Sequence, residues 1–288
     1  GLCDELAPLR RAIEEFKPHV VFNLLEEFRG EAIFDAHVVG YLELQHTPYT
    51  GCNPRGLLLA RDKALSKKVL AYHRIRVPKF RVFPRYRKIR RPKHMEFPLI
   101  VKSLIEEGSY GIAQASVVNN DKALEERVSF IHDKIFTDAV VEQYIPGREL
   151  YVSVLGNHRL TVLPTWEIFL DDLPEESARI ATRKVKWDLE YQEKYNVRIG
   201  RARKLPDDLE RRIGGLSRRI CRRLGTDGCV RIDYRLDQEG RLYFLEANPN
   251  PDIAEEEEFA SAAHAAGIDY LALLQKIVNL GIRRAESG

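Results

Sequence analysis

Residues 231–252 read RIDYRLDQEGRLYFLEANPNPD. Apolar residues alternate through Val230, Ile232, Tyr234 and Leu236, and apolar side chains return at Leu242, Phe244 and Leu245. Asp237-Gln238-Glu239-Gly240 lies between the two runs and supplies a turn. Two alternating runs around a short Gly-containing loop predict a β-hairpin. Asp233 falls on the first strand, and Glu246 and Asn248 close the second. Antiparallel pairing can bring these three oxygen ligands to one point, a set suited to a hard cation such as Mg²⁺. Arg231 precedes Asp233 by two residues, so both point to one face of the strand. The expected metal site is a strand-end feature outside the core. A surface hairpin with ordinary exposed acids is the plainer alternative, and Glu-Ala-Asn-Pro-Asn-Pro is an unusual exit for one.

Arg231-Ile232-Asp233 on one strand and Leu245-Glu246-Ala247-Asn248-Pro249 on the next resemble the metal-binding hairpin of ATP-grasp ligases. Within these, the pattern is most similar to the D-alanine–D-alanine ligase branch. The resemblance implies an α+β fold in which two α+β lobes clamp ATP, with a partial N-terminal α/β segment before them. It divides the chain into a partial N-terminal segment at 1–60, a central lobe at 61–145 and a C-terminal lobe with the metal hairpin at 146–288. The implied activity is that of an ADP-forming ligase joining a carboxylate to an amine through an acylphosphate. ATP and two Mg²⁺ ions, with Mn²⁺ as a substitute, are the implied cofactors.

Working outward, other stretches fit the same frame. Leu6 to Lys17 has helical spacing, His19 to Asn23 reads as a short buried strand, and Gly30 to Leu44 as a second helix. Helix, strand and helix make part of a parallel α/β domain. In the resembled family a complete domain precedes this point and ends in Pro-Tyr-Thr-Gly, as at Pro48 to Gly51. The chain is therefore expected to start partway through that domain. Asp62 to Arg74 reads as a helix, and Lys63 matches the family lysine that reaches the nucleotide phosphates. Phe97 to Lys102 is a β-run followed by Glu106-Glu107-Gly108-Ser109-Tyr110-Gly111-Ile112, a strand, small-residue loop and strand. Glycine lets successive N–H groups form an anion nest, and Lys102 adds a point charge. Ser109 and Gly111 match the family's phosphate loop.

Asp121 to Phe136 is amphipathic with Asp121 at the N-cap. Ala139 to Ile145 is a strand leading to Pro146-Gly147-Arg148-Glu149, in which Glu142, Ile145 and Glu149 match the adenine and ribose positions. Glu142 alone would be an ordinary edge-strand charge. Glu149 to Leu155 and Arg159 to Trp166 read as strands about Gly156-Asn157. The charged, irregular segment Asp171 to Lys204 corresponds to the family's lid over the phosphates, whose lysine matches Lys186 best, with Lys184 a close competitor. Pro206 to Leu224 is a helix with a basic face, and two helices, Glu255 to Ala266 and Asp269 to Arg284, finish the chain about Gly267. Implied catalytic cations are Arg231 and Lys186.

Composition bounds the alternatives. The 288 residues are 44% hydrophobic and 31% charged, ordinary for a soluble protein. Forty-six Lys and Arg against 43 Asp and Glu leave a net charge of +3, which argues for no particular partner. The basic run Arg81 to His94 could touch nucleic acid, yet such runs are more often solvated connections. No apolar run approaches the ~20 residues a membrane span needs. Cys3, Cys52, Cys221 and Cys229 form no CxxC pair, which fits a reducing cytoplasmic setting. The expected partners are a small-molecule carboxylate and amine (amino acids or a small peptide), with no nucleic acid and no membrane, and a homodimer is left open.

Three departures from the family pattern fall where amino-acid substrates sit, and they point away from the housekeeping D-alanine–D-alanine ligase. The lid's Lys-Tyr becomes Lys186-Trp187, and the indole donates but cannot accept. The phosphate loop is shortened around Tyr110. Asn250-Pro251-Asp252 replaces a Ser-Pro-Gly that holds the acceptor's carboxylate, and Asp252 there either repels a carboxylate or caps the following helix. The competing function is an ATP-binding regulatory protein of the same fold without ligase turnover.

Overall fold

A computed structural model describes residues 4–106 and 108–285. Cys3 and Glu107, which enter the sequence reading, lie outside the described residues. The elements in chain order are α1 (Leu6–Phe16), α2 (Asp35–Leu44), α3 (Pro54–Arg61), α4 (Lys63–Tyr72), β1 (Phe80–Phe83), β2 (Leu99–Ser103), β3 (Val117–Val118), α5 (Asp121–Phe130), β4 (Ala139–Gln143) and β5 (Arg148–Gly156). There follow β6 (Thr161–Val162), β7 (Trp166–Phe169), α6 (Arg183–Trp187), α7 (Leu189–Lys194), β8 (Arg198–Arg201), α8 (Asp207–Leu224), β9 (Gly228–Leu236), β10 (Leu242–Pro249), α9 (Glu258–Ala265) and α10 (Tyr270–Ala285).

The strands form two antiparallel sheets. The smaller runs β1-β4-β2-β3, and the larger runs β10-β9-β5-β7-β8 with β6 added to β5. In the smaller lobe, Leu99, Val101 and Val141 pack on Leu124, Val128 and Ile131 from α5 and the turn after it. The larger sheet is covered on both faces. Along β5, Leu150, Val152 and Val154 face a core with Ile213, Ile220 and Leu224 of α8. Tyr151 and Leu155 face the opposite core with Phe259 of α9 and Leu273 and Ile277 of α10. Because side chains alternate, a strand buried on both faces is apolar along most of its length, and β5 is so from Leu150 to Leu155 apart from Ser153.

The first 60 residues press onto the metal-type hairpin rather than standing apart. Cys52 N–H donates to Asn250 Oδ1 at 2.7 Å, and Asn53 N–H donates to Asp227 at 2.8 Å. Arg284 donates to Tyr49 Oη and to the Gly51 carbonyl at 2.8 and 2.7 Å. Gly228 sits at φ +70°, and a Cβ there would collide with the backbone of Gly51. Strain and collision act together, so Gly228→Ala is expected to destabilise by about 2–3 kcal/mol in a denaturant titration. Unchanged stability would show that these two segments are free to part.

Several local expectations are corrected. His19 to Asn23 forms no buried strand: only Val21 bridges Tyr49, and Phe22 is 38% exposed. A strand needs a ladder, and no further strand of this segment lies beside it. The helix expected from Gly30 starts at Asp35, because Arg29 and Gly30 both have positive φ and turn the chain first. Asn53 caps α3, a helix absent from the sequence expectations, with Pro54 at its first turn. Asp62 is the cap of α4 rather than part of it, accepting from Ala64 and Leu65 N–H. The cap of α5 is Asn120, not Asp121.

No strand directly follows the phosphate-type loop; pairing resumes at Val117. Arg159 to Trp166 is broken at Leu163 to Thr165 into β6 and β7, where Pro164 offers no N–H. The segment from Asp171 to Lys204 is not irregular: Thr182 and Asp188 cap α6 and α7, and β8 pairs with β7. The helix expected from Glu255 begins at Glu258. In the basic run, Arg91 bonds Asp121 and the Met95 carbonyl, and Arg85 bonds the Phe136 carbonyl.

Candidate active site

The hairpin places its charged residues by register. Glu246 stands opposite Asp233 and Asn248 opposite Arg231, across a bulge between Phe244 and Glu246. The bulge resolves the break in alternation at Leu245, since one extra residue returns Glu246 to the face it shares with Asp233. Arg231 donates to both Asp233 oxygens at 2.8 and 3.1 Å and reaches Glu258 at 3.4 Å. Contrary to the expectation of a strand-end feature, Asp233 is 2% exposed and lies within β9.

Burial pushes Asp233 up to about 6, with Glu246 adding to the shift and Arg231 opposing it. Burial would raise Glu246 too, but Lys63, Lys102, Lys186 and Lys67 hold it down at about 2. Two carboxyls in register, one of them reluctant to ionise, suit a divalent cation between them. Asn248 is 7% exposed and stands opposite Arg231 in the same register, so its amide oxygen would be the third oxygen ligand beside the two carboxyls. The residues present therefore fit Mg²⁺.

A lysine cluster faces this pair. Lys63 lies 3.4 Å from Glu246 and donates to the Glu106 carbonyl. Lys102 lies 3.2 Å from Glu142. The sequence reading passed over Lys67, which is fully buried, lies 2.8 Å from Glu142 and donates to the Leu245 carbonyl. Its spacing of four from Lys63 on one helix face was the available signal. Burial alone would raise Glu142, but Lys102 and Lys67 keep it below the usual carboxylate range. Glu142 is thus no edge-strand charge: β4 is internal and the residue is fully buried. Glu149 is likewise engaged, accepting from Arg235 at 2.6 Å and Tyr151 at 3.1 Å.

Two cavities meet here. The inner one, about 40 Å³, is lined by Lys102, Ser109, Glu149, Lys186, Asp233 and Glu246. Ligand pockets usually measure ~300–1,000 Å³, so a nucleotide requires the lobes to part. The outer one, about 330 Å³, lies against Lys186, Trp187, Arg231, Asn248, Asn250 and Asp252. Of the residues matched to ATP, Lys63, Gly111, Glu142, Ile145 and Lys184 line neither cavity, and Lys184 is exposed. Lys186 lines both. A third cavity of about 550 Å³, near Asn157 and Lys276, contains none of the expected residues.

The lid and the phosphate-type loop are latched. Ser109, at φ +60°, donates to the Ala181 carbonyl at 2.7 Å, and Trp187 Nε1–H donates to the Gly108 carbonyl at 3.1 Å. Tyr110 turns outward beside Arg183 and lines neither cavity, so it does not occupy the place of a small hydroxyl. Losing one such hydrogen bond removes about 1 kcal/mol from the closed, ligand-free arrangement, so Ser109→Ala is expected to ease parting of the lobes and tighten nucleotide binding up to about fivefold. Calorimetric titration with ATP checks this, and unchanged affinity would separate the latch from binding.

Asn250 uses its Oδ1 to hold Cys52, a structural task, at φ +54°. Asp252 accepts from Ala254 N–H in a local turn and does not cap α9, whose cap is Glu257. Glu257 and Glu258 were also missed; nothing in their local pattern marks them, and only packing brings Glu258 to Arg231.

The sequence matches the family model described as D-ala D-ala ligase C-terminus over residues 69–279. An uncharacterized protein of Sinorhizobium fredii is 32% identical over 295 residues, covering 98% of this chain and 83% of its own length. A D-alanine–D-alanine ligase of Pelotomaculum thermopropionicum is 29% identical over 286 residues, covering 94% and 84%. The crystal structure of a D-alanine–D-alanine ligase from Bacillus anthracis complexed with ATP superimposes with a TM-score of 0.77 at 23% identity, over 96% of this chain and 84% of that one. That likeness establishes the two-lobed ATP-grasp fold.

Proposed function

This chain belongs to the D-alanine–D-alanine ligase family, and from that membership we propose that it is an ATP-dependent carboxylate–amine ligase. A carboxylate oxygen attacks the γ-phosphorus of ATP, the bond to the bridging oxygen breaks, and ADP leaves. The amine then attacks the acyl carbon, phosphate departs, a proton is lost, and an amide remains. Such chemistry asks mainly for positioning and for positive charge where negative charge develops. The observation that carries the reading is the register pair Asp233–Glu246 facing Lys63, Lys102 and Lys186.

In this reading Asp233, Glu246 and Asn248 hold the metal ions. Bound Mg²⁺ would neutralise phosphate charge. Arg231, fixed by Asp233 and Glu258, presents its guanidinium to the outer cavity, where the acyl group forms. Lys186 spans both cavities and follows the transferring phosphoryl group; the exposed Lys184 has no such access. Lys67 and Glu142 hold Lys102 in place, and Ser109 closes the loop on the lid. The three units at 1–60, 61–145 and 146–288 are part of the same proposal.

We further assign the chain a role other than housekeeping D-alanyl-D-alanine synthesis. Trp187 and Asp252 support this, since both line the outer cavity. ATP-dependent phosphate release across a panel of acids and amines tests the function, with hydroxylamine added to trap the acylphosphate as a hydroxamate. Hydroxamate with at least one acid is expected. ATP binding without ADP formation for any acid would leave the nucleotide-binding regulator instead. Efficient D-alanyl-D-alanine synthesis would overturn the non-housekeeping role.

A further inference from the structure

Arg235 is 5% exposed and lines the inner cavity, two residues beyond Asp233 along β9. Its guanidinium holds three segments at once. Nη2 donates to Glu149 Oε2 at 2.6 Å, and Glu149 stands opposite Arg235 in the β5–β9 register. Nη1 donates to the Gly147 carbonyl at 3.1 Å and to the Arg179 carbonyl at 2.9 Å. Gly147 ends the 144–147 connection between β4 of the smaller sheet and β5 of the larger, so it belongs to the joint between the lobes. At φ +140° it leaves no space for a Cβ beside the Leu236 carbonyl, which keeps the joint close against β9. Arg179 belongs to the lid segment, whose Arg183 N–H donates to the Ile112 carbonyl at 3.0 Å.

Glu149 differs from the other two carboxyls of this cavity. Asp233 and Glu246 face one another across the hairpin, whereas Glu149 Oε1 accepts from Tyr151 Oη at 3.1 Å and Oε2 accepts from Arg235. Donors on separate oxygens fix the carboxylate plane, and each oxygen keeps acceptor capacity for a ligand hydroxyl. A nucleotide carries such hydroxyls as the vicinal pair of its ribose. The guanidinium is planar and its donors form a rigid fork, so the orientation that serves Glu149 also fixes where the two carbonyls must stand. An ammonium is a point charge without that constraint. Because a nucleotide requires the lobes to part, the lid and the joint must move while Glu149 stays with β5.

We propose that Arg235 is a positioning residue that couples the docked lid to ribose recognition, one nitrogen holding Glu149 for the ribose hydroxyls and the other holding the lid and the joint between the lobes. The ribose half rests on the nucleotide site of the ligase reading. A departing lid removes one acceptor from Nη1 and lets the fork turn, so Glu149 is fully aligned only when the lid closes over bound nucleotide. A hydroxyl bond to a charged acceptor held in this way is worth about tenfold in affinity or more.

The test titrates ATP and 2′-deoxy-ATP calorimetrically into the full chain with Mg²⁺, in wild type, Arg235→Met and Arg235→Lys. Hydrogen exchange at the Arg183 amide, measured without nucleotide against the core amides of β5, reads the docking of the lid. Wild type is expected to bind ATP about tenfold or more tightly than the deoxy form. In Arg235→Met that ratio is expected to fall below about threefold, with faster exchange at Arg183. Arg235→Lys keeps the charge beside Glu149 and is expected to retain a ratio of about fivefold or more, while exchange at Arg183 still quickens. A residue that served stability alone would weaken both nucleotides alike and leave the ratio untouched. An unchanged ratio in Arg235→Met, wild-type exchange at Arg183 in Arg235→Lys, or a wild type indifferent to the 2′-hydroxyl overturns the proposal and leaves the ligase reading standing. Binding of neither nucleotide by wild type overturns both. The expected ratios without phosphate release for any acid support the role of Arg235 and sink the ligase reading.

Discussion

Glu246→Gln is expected to lower ATP-dependent phosphate release by on the order of 10²–10³-fold while the protein stays folded. The substitution keeps the shape and removes only the charge that faces Asp233 in register and Lys63 at 3.4 Å. The Glu246 side chain is 24% exposed, so the stability cost of losing this ion pair is about 1 kcal/mol or less. For a chain of this size that corresponds to a fall in thermal midpoint of about 2–4 °C. Phosphate release near the wild-type rate at saturating Mg²⁺ would remove Glu246 from the metal site. Asp233→Asn is the poorer experiment, because Asp233 is buried with Arg231 around it. Breaking that pair leaves the buried guanidinium with Glu258 alone, a loss of up to about 3–5 kcal/mol. Lost activity in that variant would report folding as much as chemistry.

Lys67→Met is expected to carry the largest stability loss, about 3–5 kcal/mol in a denaturant titration. Lys67 is fully enclosed, and burial lowers its pKa while Glu142 works against that shift. Its ammonium joins the two sheets: Glu142 belongs to β4, and the Leu245 carbonyl belongs to β10 at the bulge. Methionine fills much of the stem's volume but leaves the carbonyl unsatisfied and Glu142 with Lys102 alone. The double variant Lys67→Met, Glu142→Gln is expected to recover part of the loss, since the two effects are coupled through one contact. Nucleotide affinity should fall with the single substitution, because Lys102 loses the carboxylate geometry that fixes it. A single variant within about 1 kcal/mol of wild type would show that the buried pair contributes nothing to either lobe.

The same two residues mark the boundary between what could be read from the chain and what could not. Alternation around Asp237 to Gly240 determined the hairpin, and the short-range chemistry of Asp determined the helix start at Asp62. The acids on the hairpin and the Pro-Leu-Ile-Val-Lys strand were legible for the same reason: each signal lies within a few residues of itself. Hydrogen-bond partners for 19–23 and 171–204 lie far along the chain, so a strand expected at the first failed to form and β8 formed unforeseen in the second. The roles of Glu142 and Glu258 were beyond any local pattern, and Lys67 carried only its helical spacing from Lys63. Each looks like a solvated charge until packing removes the water around it, and an ion without water takes whatever counter-charge the fold brings within reach. Tertiary structure likewise decided that Glu246 faces Asp233, because a slip of one residue at the bulge would have turned its carboxylate to the other side of the sheet.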